Sequence, residues 1–193
     1  MSGSVIGKVF ITRSGYDPER GKFVKDPFLG EDPSLGACRP DIRKRVGPGD
    51  YIFTVSGKIP EAPQFVMGGF EVAEKVSASE AFKRFPEQRL HRRPDGQLAG
   101  NVIVNSRGQQ HPLDNHSNFA RRLSDYVIGK NGIALVTPGE IARGRSETLD
   151  ILRDILKREG SKPADIITRF GCELDEDQAH RLYAWLRSLK ETA

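Results

Sequence analysis

The 193-residue sequence is poor in cysteine, with only Cys38 and Cys172, and it carries a single tryptophan. Two cysteines exclude both a disulfide framework and a cysteine-based zinc site. No apolar run approaches the roughly 20 residues that a membrane-spanning helix needs. The opening MSGSVIGKVFITRSG has a short apolar stretch and no basic lead-in, so no signal peptide is expected and the cytoplasm is the expected compartment. The phosphate-cradling Gly-x4-Gly-Lys-Ser/Thr loop is missing, as is the dinucleotide Gly-x-Gly-x-x-Gly turn. So are the Gly-x-Ser-x-Gly elbow, His-Glu-x-x-His and Cys-x-x-Cys. These absences remove the common nucleotide hydrolases, dinucleotide oxidoreductases, serine hydrolases and zinc proteases. Neither an internal repeat nor a low-complexity tract is present.

What is there describes an ordinary folded chain. Hydrophobic residues make up 37% and charged residues 29%, a balance that supports a core and argues against disorder. The length suits one domain, or one with a small appendage. The net charge of +4 is unevenly placed. Residues 1–145 carry 22 Lys and Arg against 16 Asp and Glu, whereas residues 146–193 carry 8 against 10. An anionic partner would therefore meet the front of the chain; the plain alternative is a solvated surface.

The front reads as short strands broken by loops. Strands are expected at Val5–Thr12, Tyr51–Ser56, Gln64–Val76 and Gly100–Asn105, with a bulge or bend at Gly68-Gly69. Tyr126–Ile128 and Ile133–Val136 read as two strands joined by a hairpin turn at Gly129-Lys130-Asn131-Gly132. Residues 14–36, rich in Gly, Pro and Asp, read as a long loop of the kind that is functional or mobile. Pro40–Val46 and Ser79–Phe85 predict short helices, and Asn118–Leu123 is ambiguous. The period then changes. Helices are expected over Ser146–Arg158 with Ser146 as cap, over Pro163–Phe170, and over Asp175–Lys190. The last opens on an Asp175-x-x-Gln178 box and carries the stripe Leu182, Trp185, Leu186, Leu189. The expectation is an α+β chain: a five- or six-strand domain over 1–145 and a three-helix C-terminal extension over 146–193.

Four clusters bear chemistry. In the first, Phe28 stands on a proline-bound loop before Arg39, Arg43, Lys44 and Arg45. A presented aromatic stacks on a base, and cations hold phosphate; the plain reading puts Phe28 in the core and the cations in solvent. In the second, Ser56-Gly57 ends an apolar strand and permits close approach of a ligand backbone. In the third, Asn101 offers a donor and an acceptor to a base edge, and His111, Asp114 and His116 form the one close His/Asp cluster. That cluster could serve as an acid–base pair, His116 oriented by Asp114, or as a hydrogen-bonding turn. Two imidazoles and a carboxylate also suit zinc or iron, but the spacing matches no metal motif, and no metal or other cofactor is expected. The fourth runs from Lys83 and Arg84 to Arg89, Arg92 and Arg93, a basic loop suited to a nucleic-acid backbone or simply to solvent.

DPFLG followed by SLGACRPDIRKRVGPGDYI resembles the front signature of the nucleotide modification associated domain 2 family. Further similarity lies in Gly100–Val104, in the pair His116-Ser117, and in Asp125–Ile133. The four motifs stand in family order over roughly residues 5–138. The sequence departs from the pattern at Arg39, where lysine is usual, in the longer segment Tyr16–Val24, and at Ile128, where a second aromatic is expected. No counterpart covers the chain from Ser146 onward. The resemblance implies a PUA-like bent β-barrel with flanking short helices, similar to the ASCH, EVE and YTH modules, here with a helical C-terminal tail. It implies a binding module for a modified base or nucleotide, linked to DNA-modification or phage-defence systems of phage and bacteria. By that resemblance the pocket residues are Phe28, Arg39, Arg43, Ser56, Asn101 and His116, with Lys44 beside them and Arg45, Arg89, Arg92 and Arg93 along the nucleic-acid backbone. Two alternatives stand. One is an enzyme acting on modified nucleotides or nucleic acid through His116 and Asp114. The other is an interaction protein that docks, or dimerises, through 146–193. No membrane partner is expected.

Overall fold

A computed structural model describes residues 4–168 and 170–191. In chain order the elements are β1 (Gly7–Ile11), β2 (Ser34–Leu35), α1 (Pro40–Arg45), β3 (Tyr51–Val55), β4 (Val66–Val76), α2 (Ala78–Arg84), β5 (His91–Arg92) and β6 (Leu98–Ala99). There follow α3 (Phe119–Arg122), β7 (Tyr126–Ala134), α4 (Pro138–Leu156), α5 (Pro163–Ile167), β8 (Cys172–Leu174) and α6 (Glu176–Glu191). The class is mixed α+β. Six strands form one sheet in the order β2-β7-β4-β3-β1-β8, and β5 and β6 form a separate two-stranded sheet. β1 lies parallel to β3, and β3 antiparallel to β4. The expected irregularity in β4 is present one residue early. The β3–β4 register shifts between Thr54 and Val55, opposite Gly68 and Val66, which leaves Met67 as the extra residue. Among the described residues no helix is long and apolar enough to cross a membrane.

Several expectations are corrected. The Gly129–Gly132 stretch is no hairpin turn: β7 runs through it as one strand. Its backbone finds partners outside a turn, Gly129 donating to the Pro33 carbonyl and Asn131 accepting from the Tyr183 hydroxyl. Gly100–Asn105 is not a ladder strand. Gly100 sits at φ 86°, and Val102 and Val104 make isolated bridges to Arg89 and Gln110. The serine cap of α2 is Ser77, whose hydroxyl accepts from the Glu80 amide, and the helix begins at Ala78. The helix expected from Ser146 begins eight residues earlier, at Pro138. Thr137 and Glu140 cap it reciprocally, Oγ1 accepting from the Glu140 amide at 3.2 Å and Oε2 from the Thr137 amide at 3.1 Å. The position 145/146 therefore falls inside α4. The C-terminal stretch is not all helix either, since β8 pairs antiparallel with β1, Gly7 opposite Leu174.

Contacts divide the chain into two compact units. A terminal unit comprises Met1–Val24, Gly49–Glu71 and Asn131–Ala193, and a central unit comprises Lys25–Pro48 and Val72–Lys130. In the terminal unit the apolar stripe of α6 is internal: Leu182, Leu186 and Leu189 are buried. Gly7 allows the close packing of α6, because a Cβ there would lie 2.9 Å from the Ala179 Cβ. Gly144 does the same for α4 beside Leu135 and Phe65. In the central unit the core gathers Ala78, Ala81 and Phe85 of α2 around Val102, Val104, Tyr126 and Ile128. The helical spacing of those α2 residues places them on one face, and Phe85 stacks on Tyr126 with centroids 6.2 Å apart.

Candidate nucleic-acid interface

The central unit holds the charge. It carries 15 Lys and Arg against 10 Asp and Glu, while the terminal unit carries 15 against 16. With the exception of Ser56, every site residue expected from sequence lies in the central unit.

The unit is organised about two buried ionic groups. Asp26 precedes Pro27 through a cis peptide bond and is buried. Its carboxylate accepts the successive amides of Gly36 (2.9 Å), Ala37 (2.9 Å) and Cys38, and the Asn101 Nδ2 at 2.9 Å. Three consecutive N–H groups turned on one carboxylate form an anion nest that is already filled from within. Gly36 makes the turn possible, because a Cβ there would lie 2.4 Å from the Tyr126 ring and 2.6 Å from the Asn101 carbonyl. The Cys38 thiol is pushed up to about 12, first by burial and then by the Asp26 charge.

Arg43 is fully buried, with 0% exposure. Its guanidinium donates to five carbonyls: Cys38 (2.9 Å), Ala37 (3.3 Å), Arg122 (3.1 Å), Asp125 (3.1 Å) and Ser124. Burial draws its pKa down, while Asp26 and other neighbours oppose that. The planar fork suits this duty: one side chain fastens α1 to the end of α3 and satisfies helix-end carbonyls that would otherwise be orphaned. Arg43 therefore does not face a ligand, contrary to the sequence expectation.

Asn101 is also corrected. It is 0% exposed, its Oδ1 accepts the Tyr126 hydroxyl at 2.7 Å, and its Nδ2 reaches the Ser34 Oγ at 2.9 Å as well as Asp26. Both its Nδ2 hydrogens and its Oδ1 are engaged inside the protein, so its amide edge is turned away from solvent. Ser56 is buried in the terminal unit, where its Oγ accepts the Phe65 amide at 3.2 Å. Burial, a property of the assembled core, withdraws these three polar side chains from a surface role.

What stays outside is a set of cations on and beside α1 and α3. Lys44 and Arg45 are exposed on α1, and Arg121 is exposed on α3. Arg122 is half-buried, donating to the Ala37 carbonyl at 2.8 Å and through Nε to the Asn118 Oδ1. Lys75 reaches the Arg43 and Lys44 carbonyls at 3.2 and 3.4 Å. Arg39, in the left-handed region at φ 50°, forms a two-point pair with Asp41, at 2.9 and 2.6 Å. Asp41 and Asp125 are the acids in this group, and Arg39 holds the Asp41 carboxyl below its ordinary range. Phe28 stands half-exposed on the loop that Asp26 anchors, its ring over Gly30 and its backbone paired with Ser34.

His116 and Asp114 form a real pair elsewhere in the unit. Their Nδ1 and Oδ1 are 2.5 Å apart, with the Asp114 side chain 0% and the His116 side chain 24% exposed. Gln110 Nε2 also donates to Asp114 at 2.8 Å and to the His116 carbonyl at 3.0 Å. His111 is not part of the pair, since its Nδ1 accepts the Leu113 amide. Among the described residues no group of three or more His, Cys, Asp or Glu side chains is placed to hold a metal ion. Arg89 is half-buried, its guanidinium over the Phe82 ring at 4.0 Å. Arg92 is exposed, and Arg93 pairs with Asp95 at 3.5 Å.

Sequence reading missed Asp26, Lys75, Arg121 and Arg122. Asp26 sat in the DPFLG motif with nothing in the pattern to separate a keystone carboxylate from a turn residue. Lys75 and Arg122 are brought to α1 by tertiary contacts, and Arg121 precedes Arg122 on α3. No family model, no curated protein and no solved structure matches this chain.

Proposed function

We propose that this chain is a nucleic-acid-binding module, PUA-like in the sense of the resemblance above, which holds phosphate on the cationic surface of its central unit. The single observation that supports this reading is the group Arg39, Lys44, Arg45, Lys75, Arg121 and Arg122. Six cations lie there on or beside α1 and α3 with two acids among them, and buried Arg43 hydrogen-bonds α1 to the end of α3. Phe28 is the aromatic available for stacking, worth about 1–3 kcal/mol per base. A modified base or nucleotide is the ligand the resemblance implies, with no cofactor. Asn101, Arg43 and Ser56 support the module from inside, and Phe28, Arg39, Lys44 and Arg45 face the ligand.

The test is fluorescence anisotropy with labelled single- and double-stranded DNA, unmodified and carrying a panel of modified bases, at two salt concentrations. Lys44→Ala with Arg45→Ala should weaken binding to every probe and lower the salt slope by about two. Unchanged affinity and slope would overturn the surface assignment. A preference for one modification that survives high salt would identify the base, and equal binding of all probes would defeat base recognition.

One observation favours a second reading, catalysis. A buried Asp114 that orients a partly exposed His116 is the arrangement of a proton carrier presenting Nε2. It requires turnover of a nucleotide or nucleic-acid substrate that disappears in His116→Ala while binding persists. The third reading, docking through 146–193, finds less support, because Leu182, Leu186 and Leu189 of its stripe are buried within the terminal unit and Trp185 alone is half-exposed.

A further inference from the structure

The segment from Arg89 to Gly100 forms an arm that the cationic surface around α1 does not include. β5 and β6 pair only with each other, His91 opposite Ala99 and Arg92 opposite Leu98, and stand outside the six-stranded sheet. An isolated two-stranded ribbon is marginal in water, so this one depends on its root and its tip. At the root Leu90 is buried and donates to the Val102 carbonyl at 3.1 Å, while Val102 donates to the Gln88 carbonyl at 2.9 Å. Gly100, at φ 86°, lets the returning chain pass so close that a Cβ would lie 2.5 Å from the Arg89 carbonyl oxygen. Arg89 adds an anchor, its Nε donating to the Phe82 carbonyl at 2.9 Å beneath the cation–π contact. At the tip Arg93 donates to the Gln97 carbonyl at 2.8 Å, Gly96 to the Arg93 carbonyl at 2.9 Å, and Gln97 to the Asp95 Oδ1 at 2.9 Å. Arg92 crosses to the Gly96 carbonyl at 2.8 Å. The arm is thus hydrogen-bonded at both ends.

Between them nothing covers it on the β5 side. His91 and Arg92 are both exposed, although successive residues of a strand point to opposite faces. A strand exposed on both faces has no core to serve. Its tip carries Arg92 and Arg93, with His91 beside them, against the single acid Asp95. Two strands lie about 4.8 Å apart, and the run from His91 to the turn spans about 10 Å. A ribbon of that size matches the major groove of B-form DNA, about 12 Å wide and 8.5 Å deep, which admits a two-stranded β-ribbon. It does not match the major groove of A-form RNA, which is too narrow for side chains to read.

We propose that this arm enters the major groove of duplex DNA and that Arg92 and Arg93 make its contacts there. The proposal rests on the nucleic-acid reading above and specifies the form of nucleic acid that this part of the unit distinguishes. The tip turn sets the two guanidinium groups at one end of the ribbon, so duplex and single strand should differ in their dependence on them.

The experiment compares the full-length chain, the variant Arg92→Ala with Arg93→Ala, and the variant Lys44→Ala with Arg45→Ala. The probes are a labelled 20-base-pair DNA duplex, its isolated strand and an RNA duplex of the same sequence. Thermal melts confirm that each variant is folded. The arm variant should lose about tenfold in affinity for the DNA duplex, with a salt slope lower by about two, and change less than about twofold on the single strand. The α1 variant should weaken both DNA probes. Equal losses of the arm variant on duplex and strand, no loss on either, or tighter binding of the unaltered chain to duplex RNA would each overturn the arm's role while leaving the nucleic-acid reading intact. Binding of no probe by the unaltered chain would overturn both.

Discussion

Replacing Asn101 by alanine separates a structural from a recognition role. The substitution removes one hydrogen bond to a charged acceptor, from Nδ2 to Asp26 Oδ1, and two between neutral groups, with Ser34 Oγ and the Tyr126 hydroxyl. A bond to a charged group contributes about 1.5–3 kcal/mol and a neutral one about 1 kcal/mol. Water has no ready access to a residue with 0% exposure, so the Asp26 carboxylate and the Tyr126 hydroxyl lose partners that solvent does not replace. The total destabilisation is about 3.5–5 kcal/mol. For a chain of this size, with a urea m-value of about 2–3 kcal/mol/M, the midpoint should fall by about 1.5 M at unchanged m. Under native conditions affinity for DNA probes should hold. Asn101→Asp, which keeps the size but sets a second carboxylate against Asp26, should be no milder. A midpoint shift below about 0.4 M together with loss of discrimination between modified and unmodified bases would refute this reasoning and return Asn101 to the binding surface.

Three further outcomes can be checked. Arg43→Lys replaces a five-donor fork by a three-donor ammonium and leaves at least two of five buried carbonyls unpaired; at about 1–3 kcal/mol for each, the melting temperature should fall by about 10 °C, and an unchanged melt would show that the carbonyls find other partners. Asp17 and Glu140 both hold carboxyl pKa values below the ordinary range: burial opposes this, but the Arg145 bond to Asp17 and the Lys190 bond to Glu140, with backbone donors, outweigh it. Because the folded values are depressed, the stability they confer is full above the unfolded pKa of about 4 and is lost as pH falls through the folded values. The stability difference between the unaltered chain and Asp17→Asn should therefore shrink on acidification, and a difference that stays constant down to about pH 2 would contradict it. The thiols of Cys38 and Cys172 are pushed up to about 12 and about 11, chiefly by burial; both should resist an aromatic disulfide reagent at pH 8 until urea unfolds the chain, and rapid native labelling of Cys38 would count against the closed Asp26 nest.

Local patterns were legible wherever the responsible forces act over a few residues. The α+β class, β1, β3 and β4, the short helix after Pro40, and the Asp175–Gln178 box at the start of α6 all follow from period, proline placement and capping chemistry. The start of α4 was legible too, in Thr137-Pro138-Gly139-Glu140, but the two glycines Gly139 and Gly144 masked it until packing showed Gly144 fitting against Leu135 and Phe65. The Gly129–Gly132 stretch misled because turn composition records what a backbone is able to do, and distant partners decided what it does. Residue type likewise limited the candidate site to polar, cationic and aromatic side chains, spread from Phe28 to His116. It did not say which of them face solvent. Asn101 and Arg43 have the chemistry of ligand-binding residues, yet Asp26, Ser34, Tyr126 and the carbonyls around Arg122 claim them. Lys75 and Arg122 carry no such signature and come to the surface near α1 through contacts more than 30 residues apart. Burial and long-range hydrogen bonding depend on the whole chain at once, so the tertiary structure alone assigned those roles.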